Sequence, residues 1–300
     1  KITKLNEGSF DMQIDPERYF YLDKDVTGRV HYVDAMRERL YTGGRVSGKE
    51  LLSKDMIRIY TDFRPSTGDF CVLRHSGHYR PAIMIKESSD IYIEGVKIHS
   101  QPGMGVVGHL SENITLENLQ VIPEAGMIIS TNTDATHFTS CKGEIVIENC
   151  KFGGQGDDCT NIHNYYYTIV PQTKRSVEIK IQNADLHALS LDYPDVGDTL
   201  LVVNRSNLME KEHFIVEQVD TSTVDWRVSV TLNKDWLIGS PDLYYMTNIT
   251  RRPSVRITNN TVKSHLARAF LIKSRNVLIN KNVVQNSTGT AIQLGAEAGW

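Results

Sequence analysis

Residues 145–152 read Ile-Val-Ile-Glu-Asn-Cys-Lys-Phe, and the pattern recurs along the chain. It returns as IYIEGVKI at 91–98, ITLENLQV at 114–121, IKIQNADL at 179–186, VRITNNTV at 255–262 and VLINKNVV at 277–284. Each copy is apolar at its first, third and eighth places, the alternation of a half-buried strand. The fifth place holds Gly95, Asn118, Asn149, Asn183, Asn259 or Lys281. Glycine and asparagine enter the left-handed backbone region most cheaply, so this place predicts a bend between two short strands. The starts at 91, 114, 145 and 179 lie 23, 31 and 34 residues apart, and those at 255 and 277 lie 22 apart. A unit of about 22 residues that tolerates loop insertions is one coil of a right-handed parallel β-helix.

The interval from 179 to 255 is too long for one coil, and residues 196–247 fill it with strand-like pieces such as Thr199–Val203 and His213–Val219. The opening of that segment, Gly197-Asp-Thr-Leu-Leu-Val-Val, echoes Gly68-Asp-Phe-Cys-Val-Leu-Arg. The expected organisation is all-β. A parallel β-helix takes 1–17, 79–195 and 248–300, and small β-barrel-like inserts take 18–78 and 196–247. Within the first insert, Tyr19–Leu22 and Met56–Tyr60 read as strands, and a weak helical pattern covers 32–40.

Three hundred residues can bury a large core. Lys+Arg number 33 against 36 Asp+Glu, a net charge of −3, which gives no footprint for nucleic acid or an anionic membrane. No apolar run is long enough to span a bilayer. The chain starts at Lys1 and stops at Trp300 inside what reads as another repeat, so it is expected to be a piece of a longer protein. The four cysteines at 71, 141, 150 and 159 form no Cys-x-x-Cys and join no zinc-spaced histidines, which points to buried thiols.

The chemistry concentrates in 131–163, TNTDATHFTSCKGEIVIENCKFGGQGDDCTNIH. Asp134 precedes the strand at 145–152, and Asp157-Asp158 follow it after Gly153-Gly154-Gln155-Gly156, a run in which the backbone turns at low steric cost. Asp134 lies 23 and 24 residues from the pair, so a coil places these acids about one rung, roughly 5 Å, apart, with loop geometry adding more. Separations of roughly 6.5–9.5 Å suit an inverting glycosidase. Three carboxyls at close quarters cannot all ionise freely, so at least one pKa is expected to rise. A raised acid beside an ionised base is what glycosidic cleavage requires. Solvated turn aspartates are the plainer alternative, and the repeat weighs against it.

The stretch STNTDATHF…ENCKFGGQGDDCTNIHN resembles glycoside hydrolase family 110, bacterial α-galactosidases that include enzymes removing terminal α-1,3-linked galactose from blood group B-type glycans. The likeness is strongest over 68–168 and continues to AIQLGAEAGW at the end. It implies a β-helix with barrel insertions, an inverting mechanism without metal or cofactor, and Asp134, Asp157 and Asp158 as the catalytic acids. Which of the three is acid and which is base is left open by the residues; the preferred order has Asp134 as proton donor and the pair holding the water. It further implies galactose-terminated glycans as partners and a secreted, periplasmic or cell-surface location reached through a signal peptide; homo-oligomerisation is left open. Asn132-Thr-Asp134 and Gly156-Asp-Asp-Cys159 also match family 28 polygalacturonases. Those enzymes need Gly-His-Gly and Arg-Ile-Lys to hold a uronate; here Leu271-Ile-Lys273 is the nearest remnant. A catalytically silent glycan-binding β-helix is the third reading.

Asn132, Asn161 and His163 flank the acids and are candidates for binding sugar hydroxyls, with asparagine stacking in turns as the structural alternative. Lys273 and Glu297 follow later strands and could reach the cleft. Trp300 offers a ring for a pyranose face. His137 is expected to cap its own loop.

Overall fold

The computed structural model describes residues 1–17, 29–74, 80–181, 192–222 and 227–298. Three parallel sheets wind into a β-helix. Sheet A stacks Ile83–Lys86, Val106–His109, Thr136–Thr139, Thr160–His163, Phe270–Ile272 and Ile292–Leu294. Sheet B stacks Ser89–Glu94, Glu112–Glu117, Lys142–Glu148, Ser254–Thr258 and Val277–Asn280. Sheet C stacks Lys97–Ile98, Gln120–Val121, Lys151–Gly153, Thr261–His265 and Val283–Ser287. The chain visits A, B and C in turn and then loops back to A one rung on.

The repeat pattern sets the register. The first places of five copies align as Ile91, Ile114, Ile145, Val255 and Val277. Their eighth places align as Ile98, Val121, Phe152, Val262 and Val284. These side chains form the helix core with Phe138 and Phe270 from sheet A. Each large apolar side chain taken fully out of water contributes about 1.5–3 kcal/mol. The fifth places bend as expected, with φ of 68° at Gly95, 52° at Asn118, 58° at Asn149, 61° at Asn259 and 55° at Lys281. The four cysteines are free thiols, three of them buried.

The copy at 179–186 departs from this scheme. Ser176–Ile181 is an antiparallel strand of a closed barrel, and 182–186 lie outside the described residues. The barrel joins Tyr166–Pro171, Ser176–Ile181, Thr199–Asn204, Glu210–Asp220, Arg227–Leu232 and Tyr244–Asn248, so it starts some thirty residues before the expected 196. Period-two alternation serves a barrel wall as well as a coil, and Val177 and Ile179 turn into the barrel core. The whole barrel is inserted in one coil, between Thr160–His163 of sheet A and Ser254–Thr258 of sheet B.

The N-terminal residues 1–17 also leave the helix. Ile2–Asn6 and Ser9–Gln13 join Arg29–Asp34, Arg39–Ser53, Met56–Thr61 and Phe70–Val72 in an antiparallel six-stranded sheet. Ile2, Phe10 and Met12 find their apolar partners there, in Val30, Tyr32, Ile57 and Ile59. The edges meet where Ile2 N–H donates to Asp69 O (2.7 Å) and Gly68 N–H to Ile2 O (2.9 Å). Residues 32–40 form strand, turn and strand rather than helix; Tyr19–Leu22 lie outside the described residues. Val33, Leu40 and Phe70 of this module pack on Leu266, Ile128 and Ile129 of the helix loops, so the module stands beside the coils that carry the acids.

Candidate active site

The coil brings Asp134 and Asp158 together. Thr136 pairs with Thr160 on adjacent rungs of sheet A, so the residues two places upstream, Asp134 and Asp158, occupy equivalent positions. Ala135 N–H donates to Asp158 O (3.1 Å), extending the ladder into the loops. Thr160 pairs in turn with Phe270, which puts Arg268 at the same position one rung further on. Gln155 keys the loops together: fully buried, its amide donates to Val121 O, Ser130 Oγ and Gly153 O at 2.8–2.9 Å. Gly156 lies so close to the preceding rung that a Cβ would meet Asn132 O at 2.3 Å. Only glycine permits that approach. One oxygen from each of Asp134, Asp157 and Asp158 then lies within 4.8 Å of the others.

The three carboxyls experience different surroundings. Asp134 is 4% exposed; burial, then the Asp158 charge, pushes its pKa well above the carboxylate range, with Arg268 opposing. Burial and the charges of Asp134 and Asp158 raise half-buried Asp157 to about 7, against the pull of Arg268 and Arg74. Asp158 is held by Arg268 through three donors: the backbone N–H (2.9 Å) and Nε (2.8 Å) to Oδ1, and Nη2 (2.6 Å) to Oδ2. Such a charge-assisted, bidentate pair fixes the carboxylate in place.

Three converging carboxylates are also a donor set for a hard divalent ion. Here both oxygens of Asp158 already accept from the Arg268 guanidinium, whose positive charge compensates the cluster and opposes a cation beside it. The donor set therefore does not fit a resident metal.

The other residues singled out from the sequence fall into different places. His137 caps its loop as expected, with Nδ1 2.7 Å from Asp134 Oδ2, and its Nε2 lies 2.9 Å from His163 Nε2. Burial holds the His137 imidazole down at about 4, so it is neutral near pH 7. His163 thus reaches the acids through His137. Asn161 lies beside His137 in register; it is 1% exposed and its side-chain oxygen has no hydrogen-bond partner. Asn132 Nδ2 donates to Pro102 O (2.9 Å). Lys273 and Glu297 face each other as an ion pair at 3.0 Å. Trp300 lies outside the described residues.

Arg268 and Arg74 escaped the sequence reading. Arg268 is 110 residues from its partner Asp158, and the rung spacing that relates them is visible only once the barrel is removed. Arg74 comes from the antiparallel module, where Nη1 donates to His31 Nε2 (2.9 Å), and its charge is felt at Asp157. His31 also flanks Gly156.

Residues 69–186 match the model of the glycosyl hydrolases family 28. The chain is 29% identical over 258 residues to alpha-1,3-galactosidase B of Phocaeicola vulgatus, a match covering 80% of this chain and 43% of that protein. It is 28% identical over 241 residues to alpha-1,3-galactosidase A of Shewanella woodyi (77% and 38% covered). It is 28% identical over 301 residues to alpha-1,3-galactosidase B of Bacteroides thetaiotaomicron (96% and 46%). The chain spans less than half the length of these relatives.

Proposed function

We propose that this chain carries the acid–base site of a glycoside hydrolase that removes terminal α-1,3-linked galactose from glycans, of blood group B or linear type, without a metal. The observation that carries the reading is the convergence of three carboxyls, nearest oxygens within 4.8 Å, of which Asp158 is clamped by Arg268 while burial raises Asp134 and Asp157. Titratable pairs whose environments set them to different tasks mark acid and base. The similarity to alpha-1,3-galactosidases supplies the sugar. In this reading Asp134 protonates the glycosidic oxygen as the C1–O bond breaks, and Asp157 takes a proton from the attacking water. Asp158, clamped by Arg268, keeps the carboxyls in position. The secreted or periplasmic location belongs to the same proposal.

The nearest oxygens of the carboxyls lie within 4.8 Å, whereas the roughly 6.5–9.5 Å usual for inversion separates whole carboxyl groups. Inversion is favoured by the absence of a suitable nucleophile among the three. Asp158 has both oxygens engaged, burial and the Asp158 charge favour the protonated form of Asp134, and a carboxyl near 7 is better matched to base catalysis at neutral pH than to attack on carbon. Proton NMR of the first product from an α-galactoside tests this: β-galactose is expected, and α-galactose would require a covalent intermediate.

Polygalacturonase activity is less well supported. A uronate calls for free cations, yet Lys273 is paired with Glu297, and the place of the family's arginine is taken by the buried Leu271.

A further inference from the structure

The two histidines beside Asp134 form a line of hydrogen-bonding atoms with a direction. From Asp134 Oδ2 it passes to His137 Nδ1 (2.7 Å), from His137 Nε2 to His163 Nε2 (2.9 Å), and from His163 Nδ1 to the backbone oxygen of Asn164 (3.4 Å). A carbonyl oxygen only accepts, so His163 carries its proton on Nδ1. A neutral His163 then presents a lone pair at Nε2, which takes the Nε2–H of His137. His137, with its proton on Nε2, presents a lone pair at Nδ1, and the proton between Nδ1 and Oδ2 belongs to Asp134. Every member of the line is satisfied in this order with His163 neutral. The reverse order leaves a bare Nδ1 of a neutral His163 against the Asn164 carbonyl and is satisfied only by a His163 that carries both ring protons, which the tautomer measurement below tells apart.

We infer that His137 and His163 are a neutral positioning pair whose tautomers hold the proton on Asp134 and thereby select it, among the three acids, as the donor. The kinetic part of this inference rests on the glycosidase reading above; the tautomers do not. Groups facing the pair are Asp157 and Asp158 from the adjoining loop, Arg268 beyond them, and Lys273 and His109 on neighbouring rungs. On the barrel side stand Tyr165, whose ring meets His163 edge-on, and Asp192, 3.2 Å from His109. The acids favour a protonated His137 and the cations oppose it, but burial outweighs both and the ring stays neutral. The neutral, buried Asp134 carboxyl agrees with the proton order that the geometry gives independently.

The test has two arms. Two-bond proton–nitrogen NMR of the ring-labelled protein, assigned with single histidine variants, reports which nitrogen carries each proton. Hydrogen on Nε2 of His137 and on Nδ1 of His163 is expected; the opposite tautomers would overturn the inference whether or not the protein turns over a galactoside. In the second arm, His163→Phe removes the acceptor and leaves His137 free to turn its Nδ1–H toward Asp134, which favours the carboxylate. The alkaline limb of the kcat profile on a disaccharide should then move down by about one pH unit, a tenfold loss on that limb. His163→Gln, whose amide oxygen can accept from His137 while its nitrogen donates, should restore it. A limb that stays or moves up in folded His163→Phe would mean that His137 donates to an Asp134 carboxylate, and the inference would fall. Expected tautomers in a protein that cleaves no galactoside would uphold the pair and count only against the glycosidase reading.

Discussion

Transfer of the Asp157 carboxyl from water into the company of Asp134 and Asp158 raises its pKa from 3.8 to about 7. The folded chain therefore holds this proton more tightly than the unfolded chain. The associated stability is fully present below the unfolded value and is lost as pH rises through about 7. Asp157→Asn removes the charge that is costly to bury. It should melt about 2–4 °C above the parent near pH 8, with the gap narrowing at pH 5 and closing only below the unfolded value of 3.8. An equal gap at both would show that Asp157 is not strained. Activity runs the other way: a base must be ionised, so kcat/KM should climb through about 7 and fall again only where Asp134 loses its proton. That at least one carboxyl of three would be raised was legible in the sequence, since like charges at close range leave few options, and both Asp134 and Asp157 are raised. The identity of the counter-charge was not, because Arg268 has no local motif and acts only through the rung it occupies.

Each coil turns between sheets B and C at a residue with positive φ, and the fifth place of the repeat announced it. Asn and Gly pay little there, whereas Lys281 at φ 55° pays the ordinary side-chain penalty. Lys281→Gly should accordingly stabilise the chain by up to about 1 kcal/mol, and Asn149→Val should destabilise it by about 1–2 kcal/mol, both read from urea unfolding. No change in either would disconnect the repeat from its bend. The corner between sheets A and B is also left-handed, at Leu110 (φ 50°) and Ser140 (φ 51°), yet neither residue type signals it. Rung-to-rung hydrogen bonding imposes that turn against local preference, which is why the sequence is silent there. The same limit explains the strand at 176–181. Alternation states that one face is buried, and only the partner strands decide whether a coil or a barrel buries it.

The molecule sets two antiparallel modules against a parallel β-helix, and each reaches the acids differently. The barrel lengthens one coil and so separates Asp158 from Arg268 in sequence while leaving them on adjacent rungs. The antiparallel module, packed on the loops through Val33, Leu40 and Phe70, brings Arg74 within electrostatic reach of Asp157. The β-helix was legible because its signal repeats; the module contacts were not, because each is made once and between segments far apart in the chain. In the proposed mechanism Asp134 and Asp157 divide acid and base work on an α-galactoside. Galactose release should be measured for the parent, Asp134→Asn and Asp157→Asn, on α-1,3-digalactoside and on an aryl α-galactoside with an acidic phenol, with folding checked by circular dichroism. The parent should cleave both substrates. Asp134→Asn should lose on the order of 10²-fold or more on the disaccharide and much less on the aryl substrate, which leaves without protonation, while Asp157→Asn should lose on both. Near-parental turnover of the disaccharide by both folded variants would contradict the claim.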